Sequence, residues 1–193
     1  MLGQNHAVFG WAGVLSVEVI ATAAGHPISD FTALRLFGHQ VPELPLLLAV
    51  STVGSLLPDI DHPNARISKY KVAGVPLLKA ASYATSLFVQ HRGPTHSLLV
   101  WAALSLGALL LAIGPGLPCM ALAFSLGYLF HIIADGLTRT GVPFLWPFNK
   151  DMYGVPPDRK QRFATGSLME YLVLILVCLI AIGLVFKFGW PLV

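Results

Sequence analysis

The chain has 193 residues, of which 55% are hydrophobic and only 11% are charged, and its formal net charge is +3. Soluble domains carry roughly a quarter charged residues, so this composition excludes an ordinary soluble domain and indicates an integral membrane protein. We predict an all-α fold, a polytopic membrane helical bundle that forms one integral-membrane domain over residues 1–193.

Five apolar stretches are long enough, or nearly so, to cross a bilayer core, which needs about 20 residues per helix. In chain order they cover residues 5–24, 43–57, 97–113, 118–135 and 167–188. Ala21-Thr22-Ala23 has the form of a signal-peptidase site, but no Lys or Arg precedes the first stretch and Glu18 interrupts it. We therefore expect a retained first helix.

A sixth apolar segment, residues 74–90, contains Lys79 and several small polar residues. Its composition would allow either a span or an amphipathic helix at the membrane surface. The distribution of Lys and Arg favours an amphipathic helix at the membrane surface. With five spans, ten of the twelve basic residues fall in the loops 58–96 and 136–166, on the same side as the N-terminus. By the positive-inside rule this side is cytoplasmic.

The fourth stretch ends in "YLFHIIADGLTRTG", where His131 and Asp135 are one helical turn apart and share a face. Ionisable residues at the end of an apolar membrane helix are expensive to bury and commonly functional. The alternative is structural: the pair could hydrogen-bond to itself or to a helix end.

Two loops on the same side carry further ligand types. "VQHRGPTHSLLV" places His91 and His96 around a Gly-Pro turn, with Thr95 or Ser97 available to cap the next helix. "LPDIDHPN" follows the second span; there Asp59 and Asp61 would lie on one side if the chain is extended. In isolation, Asp61 or Asn64 could equally be a helix N-cap.

Considered together, these motifs predict a metal site. His6, near the start of the first helix, also falls on the predicted cytoplasmic side, whereas His26 and His39 fall in the first outer connection. Histidine and aspartate without thiolate favour zinc, with manganese or iron as alternatives. The number of ligands exceeds one tetrahedral site, so we expect two divalent ions, with Asp135 or Asp61 bridging them. Paired ions lower the pKa of water and hold both oxygens of a phosphoester displacement.

Three further groups are candidates for a role at the site. Arg92 lies between His91 and His96 and could hold a phosphate oxygen. Arg139 has a simpler role available, at a basic surface near anionic lipid. Ser167 and Glu170 have the spacing of a capping box at the start of the last helix, and we prefer capping to a role at the metal.

The motifs around His6, "LLPDIDHP", "HRGPTHSLL" and "GYLFHIIADGLTRTGVPFLWP" resemble the YdjM family of bacterial inner-membrane proteins, described as metal-dependent hydrolases. The resemblance covers most of residues 1–170. It implies a bacterial inner-membrane location. It also implies a metal site formed by the residues at the matching motif positions: His6, Asp59, Asp61, His62, His91, His96, His131 and Asp135.

We therefore expect a membrane-embedded metal-dependent hydrolase of the phosphoesterase class, with a cytoplasmic-face site and with Arg92 and Asp61 as catalytic residues. The ligand set is similar in chemistry to that of zinc-dependent phospholipase C. The expected substrate is a phospholipid or another lipid phosphate; no nucleic acid is expected and no oligomeric state is predicted. The alternative is a non-catalytic metal-binding membrane scaffold. A transporter is disfavoured, because only Glu18 lies deep in a span.

Overall fold

The fold was analysed in a computed structural model, which describes residues 1–27, 35–36, 39–40, 43–61, 93–114 and 116–188. Within these ranges the chain forms five α-helices: α1 (Gly3–Ala23), α2 (Glu43–Leu56), α3 (Leu98–Leu111), α4 (Leu117–Gly136) and α5 (Leu168–Phe188). Two-residue strands, β1 (Arg35–Leu36) and β2 (His39–Gln40), pair antiparallel between α1 and α2. The predicted helical bundle is confirmed, and its five helices coincide with the five apolar stretches.

Three of these helices, α1, α4 and α5, are long and apolar enough to cross a membrane. The other two have 14 residues each. At 1.5 Å per residue, 14 residues rise about 21 Å, less than the hydrocarbon core of roughly 30 Å. The second and third stretches were also the two shortest in the sequence. The interfacial helix predicted for residues 74–90 lies outside the described residues.

Helix α4 is the centre of the bundle, since it packs against α1, α2 and α3. Its crossing with α2 is close because two glycines face backbone atoms. A Cβ on Gly54 would overlap the carbonyl oxygen of Phe124, and a Cβ on Gly127 would overlap that of Ser51. Small residues allow membrane helices to approach in this way. The close approach brings the end of α2 against the last turns of α4.

The last helix packs differently, because it contacts α1 and leaves most of its surface uncovered. Only 11% of the most apolar 18-residue stretch of this helix is buried within the protein. Leu176, Leu179 and Phe186 are exposed side chains on this helix. A surface of this composition suits contact with lipid acyl chains.

Short 3-10 turns follow α2 and precede α3, at Leu57–Asp61 and Pro94–His96. The first of them shows that the condition for placing Asp59 and Asp61 on one side is not met, because the backbone there is a 3-10 turn and not an extended chain. The side chain of Asp61 lies outside the described residues. The second turn ends at Ser97, whose Oγ accepts a hydrogen bond from the Val100 amide at 3.2 Å. Ser97, one of the two predicted candidates, is therefore the N-cap of α3.

Candidate metal site

The last turns of α4 supply two adjacent ligand-type side chains. Nε2 of His131 lies 3.7 Å from Oδ2 of Asp135, which confirms that the pair shares one face of the helix. Both side chains are almost completely buried, with exposures of 0% and 1%. Burial of two ionisable groups is costly unless each has a charged, hydrogen-bonding or metal partner.

His131 is oriented by the backbone of α2. Its Nδ1 lies 2.6 Å from the carbonyl oxygen of Ser55. Because a carbonyl oxygen can only accept, Nδ1 must carry the proton. In the neutral ring the lone pair is then on Nε2, which faces Asp135. A backbone carbonyl that fixes the tautomer in this way is common for histidines that bind metals.

His96 approaches from the 3-10 turn before α3. Its Nε2 lies 3.2 Å from Nε2 of His131 and 3.5 Å from Oδ2 of Asp135. The turn is tied to α4, because the Tyr128 hydroxyl donates a hydrogen bond of 2.6 Å to the carbonyl oxygen of Thr95. His96 is fully buried, so its position is set by packing and by this bond.

Asp59 completes a compact group of four. Its Oδ1 lies 3.7 Å from Nε2 of His96 and 3.7 Å from Nε2 of His131. One ligand atom from each of Asp59, His96, His131 and Asp135 lies within 4.8 Å of the others. Zinc bound at about 2.0–2.2 Å in a tetrahedron separates its ligand atoms by roughly 3.3–3.6 Å. The separations that involve His96 or His131, from 3.2 to 3.7 Å, are close to this spacing.

His6 lies on the other side of Asp135. Its Nε2 is 3.3 Å from Oδ1 of Asp135, and its ring stacks on that of His131 with centroids 3.7 Å apart. The amino group of Met1 also contacts Oδ1. Nδ1 of the fully buried His6 makes no hydrogen bond within the described residues, and Nε2 has the contact to Asp135 without full hydrogen-bond geometry. A buried imidazole of this kind is a fitting metal ligand, because a metal would use the lone pair that the protein leaves unpaired.

The carboxylates also set the charge of His96. Burial by itself lowers the pKa of His96, but the adjacent carboxylates of Asp135 and Asp59 outweigh it and raise the pKa to about 9. A protonated His96 can donate from Nε2 to the unprotonated Nε2 of His131, which accounts for their 3.2 Å separation. A metal ion bound by both Nε2 atoms would take the place of this proton.

The N-terminal segment before His6 is fixed by Glu170 at the start of α5. Oε1 of Glu170 accepts hydrogen bonds from the Leu2 amide at 2.7 Å and from Nδ2 of Asn5 at 2.6 Å. Oε2 accepts from the Gly166 amide at 2.8 Å. The predicted capping box is not formed, because the Ser167 amide donates to Ala164 and not to the carboxylate. Glu170 instead positions the first turn of α1, which is neither the predicted capping role nor the alternative role at the metal.

Of the eight predicted metal ligands, five are brought together by the structure: His6, Asp59, His96, His131 and Asp135. His62, His91 and the side chain of Asp61 lie outside the described residues, as does Arg92. Three contributors were missed by sequence reasoning: Asn5, the Ser55 carbonyl and the connection from Leu2 to Glu170. A usable signal existed for Asn5 and Glu170, since both fall at the membrane boundary where the histidines gather.

Comparison with known proteins supports the location of the chain. The family described as YdjM inner membrane protein matches residues 1–190. The Inner membrane protein YdjM of Escherichia coli (strain K12) and that of Shigella flexneri are each 45% identical to the chain over 150 residues, which is 76% of this chain.

The aligned part is 66% of each relative's own length, just under two thirds. No solved structure matches. Together with the apolar helices, the matches indicate a protein of the bacterial inner membrane. The chain belongs to the YdjM family of inner membrane proteins.

Proposed function

We propose that this protein is a metal-dependent hydrolase with a site at the cytoplasmic face of the membrane, and that it cleaves a phosphoester of a phospholipid or another lipid phosphate. The observation that carries the proposal is the arrangement around Asp135. Its Oδ2 faces His96 and His131, at 3.5 and 3.7 Å, and its Oδ1 faces His6 at 3.3 Å. A carboxylate with different histidines at each oxygen is suited to bridge two metal ions.

Five described residues would hold the ions. Asp59, His96, His131 and Oδ2 of Asp135 would bind one, and His6 with Oδ1 of Asp135 would contribute to a second. The donor set of nitrogen and carboxylate oxygen suits zinc, and also manganese or iron. Asp61, His62 and His91 remain predicted as further ligands. When bound, such ions lower the pKa of water and neutralise developing charge on phosphoryl oxygens.

The chain's own groups prepare the site for this chemistry. The Ser55 carbonyl holds the proton of His131 on Nδ1, so that Nε2 stays available on the side of the carboxylates. The fully buried rings of His6, His96 and His131 exclude water from one side of the cluster. Asp59 is the most exposed of the four clustered residues, with 16% of its side chain exposed, so the cluster is open on its side. A substrate would therefore approach past Asp59. Arg92 remains predicted to bind its phosphate.

A lipid substrate is supported by the position of the cluster. All five residues lie at the same end of the bundle: at the beginnings of α1 and α3, and at the ends of α2 and α4. The loops at this end contain ten of the twelve basic residues, which favours a cytoplasmic location and attraction of anionic headgroups. The loop after α4 also exposes Leu145 and Phe148, apolar side chains suited to the membrane interface.

A non-catalytic metal scaffold is the second candidate, and one observation favours it. The four clustered residues already supply a complete tetrahedral set, and three of them are fully buried. Structural zinc sites are closed in this manner, whereas catalytic sites keep an open position. The two functions differ in the number of ions bound and in turnover.

The test is elemental analysis of the detergent-purified protein, followed by measurement of phosphate or headgroup release from a panel of phospholipids and polyprenyl phosphates. We expect bound metal and release from at least one substrate. His131→Ala and Asp135→Ala should lose both metal and activity. His26→Ala is the matched control. His26 is exposed and follows the end of α1, whereas the cluster lies near the start of that helix.

The outcomes separate the candidates. Metal that is lost in His131→Ala without any hydrolysis in the wild-type protein would favour the scaffold. Full metal content in both cluster variants, or protein that binds no metal at all, would rule out both functions.

A further inference from the structure

A cavity of about 500 Å³ lies between the start of α5 and the loop that follows α4. Its polar wall includes Arg139, Lys160 and Arg162, and its apolar wall includes Leu137, Phe163 and Val173. A second cavity of about 480 Å³ shares Arg139 and Lys160 and is also lined by Asp158 and Arg159. The two cavities form one basic surface. This volume is in the range of pockets that hold small molecules, roughly 300–1,000 Å³.

The charge in the larger cavity is unbalanced. Three basic side chains line it, and no carboxylate is among the side chains that do so. Glu170, in the first turn of α5, directs both oxygens to Leu2, Asn5 and Gly166. The N-terminus of a 21-residue helix adds positive potential, since residues Ser167 and Met169 line the same cavity. An anion is the complementary ligand.

Two buried polar groups in the cavity wall point to the same kind of ligand. Arg162 is only 6% exposed, and its terminal nitrogens donate to the carbonyl oxygens of Thr138 and Pro157 at 3.4 and 3.1 Å. Its Nε has no hydrogen-bond partner within the described residues, and neither does the buried Oγ of Ser167. Both residues line the cavity, and an anion bound beside them would offset part of the cost of burying donors without acceptors.

The apolar wall specifies what the anion is attached to. Met169 and Val173 line the cavity from α5, and Met169 is 55% exposed. Leu172 and Leu176 continue the same helix with exposures of 48% and 57%. The cavity therefore adjoins the uncovered surface of a membrane-spanning helix, at the point where that helix begins. A molecule with an anionic head and a hydrocarbon tail matches both walls.

We infer that this cavity binds the phosphate headgroup of an anionic phospholipid, whose acyl chain lies along α5. The site is distinct from the His/Asp cluster and needs neither a metal ion nor turnover, so it goes beyond the hydrolase proposed above. Arg162 and the start of α5 form the fixed part of the site. Arg139 and Lys160 are exposed and supply additional charge.

The experiment measures binding of dioctanoyl phosphatidylglycerol to the full-length protein in detergent by microscale thermophoresis. Dioctanoyl phosphatidylcholine and inorganic phosphate are the comparison ligands. Lys160→Gln is the test variant, and Lys150→Gln is its matched control, because both lysines are exposed in the same loop but only Lys160 lines the cavity. Loss of one lysine near a lipid phosphate should weaken binding by about fivefold.

We expect phosphatidylglycerol to bind more tightly than either comparison ligand, with Lys160→Gln weakened about fivefold and Lys150→Gln close to wild type. Equal binding of phosphatidylcholine would overturn the inference, because the basic wall would then play no part. Equal binding of inorganic phosphate would also overturn it, since the acyl chain would not be recognised. Equal effects of the two lysine variants would overturn it as well, because the lysines would then attract the lipid through the net surface charge and not through the cavity.

Discussion

His6 and Asp135 meet across the bundle, with Nε2 of the histidine 3.3 Å from Oδ1 of the aspartate, although one residue is near the start of the first helix and the other ends the fourth. The second oxygen of Asp135 faces His96 and His131. This division of one carboxylate between His6 on one side and two histidines on the other is the feature on which the proposed two-ion site rests.

The number of ions should therefore depend on His6. We expect His6→Ala to bind one ion per chain where the wild type binds two, because Asp59, His96, His131 and Asp135 remain. His131→Ala should bind neither ion tightly, because its Nε2 contacts both Asp59 and Asp135. Elemental analysis of the purified variants gives the ratio, with His26→Ala as the control. An unchanged ratio in His6→Ala would remove His6 from the ligand set.

Metal affinity should increase with pH. The carboxylates of Asp135 and Asp59 raise the pKa of His96 to about 9, so at neutral pH a proton occupies the nitrogen that a metal needs. Binding must displace this proton, and the affinity should rise by roughly tenfold per pH unit and level off above the pKa. Calorimetric titration with Zn²⁺ in buffers of different ionisation enthalpy measures the released protons. An affinity independent of pH below about 9 would contradict this assignment.

Glu170 should stabilise the fold and, through it, the position of His6. Glu170→Ala removes the acceptor for Leu2, Asn5 and Gly166 and leaves the buried side chain of Asn5 unpaired, at a cost of about 1–3 kcal/mol. We expect a lower unfolding temperature in detergent and reduced occupancy of the ion held by His6. Ser167→Ala serves as the control, since the Ser167 hydroxyl makes no hydrogen bond within the described residues. If Glu170→Ala and Ser167→Ala unfolded at the same temperature, this role of Glu170 would be refuted.

The close approach of α2 and α4 should not tolerate a methyl group. Gly54→Ala and Gly127→Ala would each force a side chain against a backbone carbonyl, and overpacking of this kind costs about 1–3 kcal/mol. Because the same crossing aligns Ser55 with His131, metal content should fall as well. Gly107→Ala is a suitable control, as a Cβ there meets nothing within 4 Å. Thermal unfolding of all three variants, followed by elemental analysis, tests both effects; equal stability would contradict the packing.

The orientation can be tested with single cysteines. In a chain with Cys119 and Cys178 replaced by serine, we expect a cysteine at Thr165, in the loop before α5, to be shielded from a membrane-impermeant maleimide in intact cells. A cysteine at His26, at the other end of α1, should be labelled. Both positions are exposed on the protein itself, so a difference reports the membrane. The reverse pattern would place the cluster on the periplasmic side.

The sequence was sufficient to predict the helices and the core of the cluster, because both depend on local patterns. Apolar runs define the spans, and a spacing of four on a helix puts His131 beside Asp135. The alternation of spans then brings Asp59, His96 and His6 to the same end. Each of these inferences needs only the helical period and the membrane boundary.

The remaining contacts depend on how the helices pack, which no local pattern specifies. Glu170 and Asn5 are 165 positions apart, and their hydrogen bond follows only from the packing of α5 on α1. The tautomer of His131 depends on the Ser55 carbonyl, whose position depends on glycines at the α2–α4 crossing. The chain around Asp59 is not extended for a local reason: the residues after α2 continue its coil as a 3-10 turn.

The bond from Glu170 to the first turn of α1 has a consequence for biogenesis. The first helix emerges from the ribosome long before the last, and until α5 has entered the membrane Leu2 and Asn5 lack the acceptor that Glu170 supplies. A truncated or half-inserted chain would therefore lack the hydrogen bonds that fix the segment before His6. The last helix thus completes the anchoring of the first.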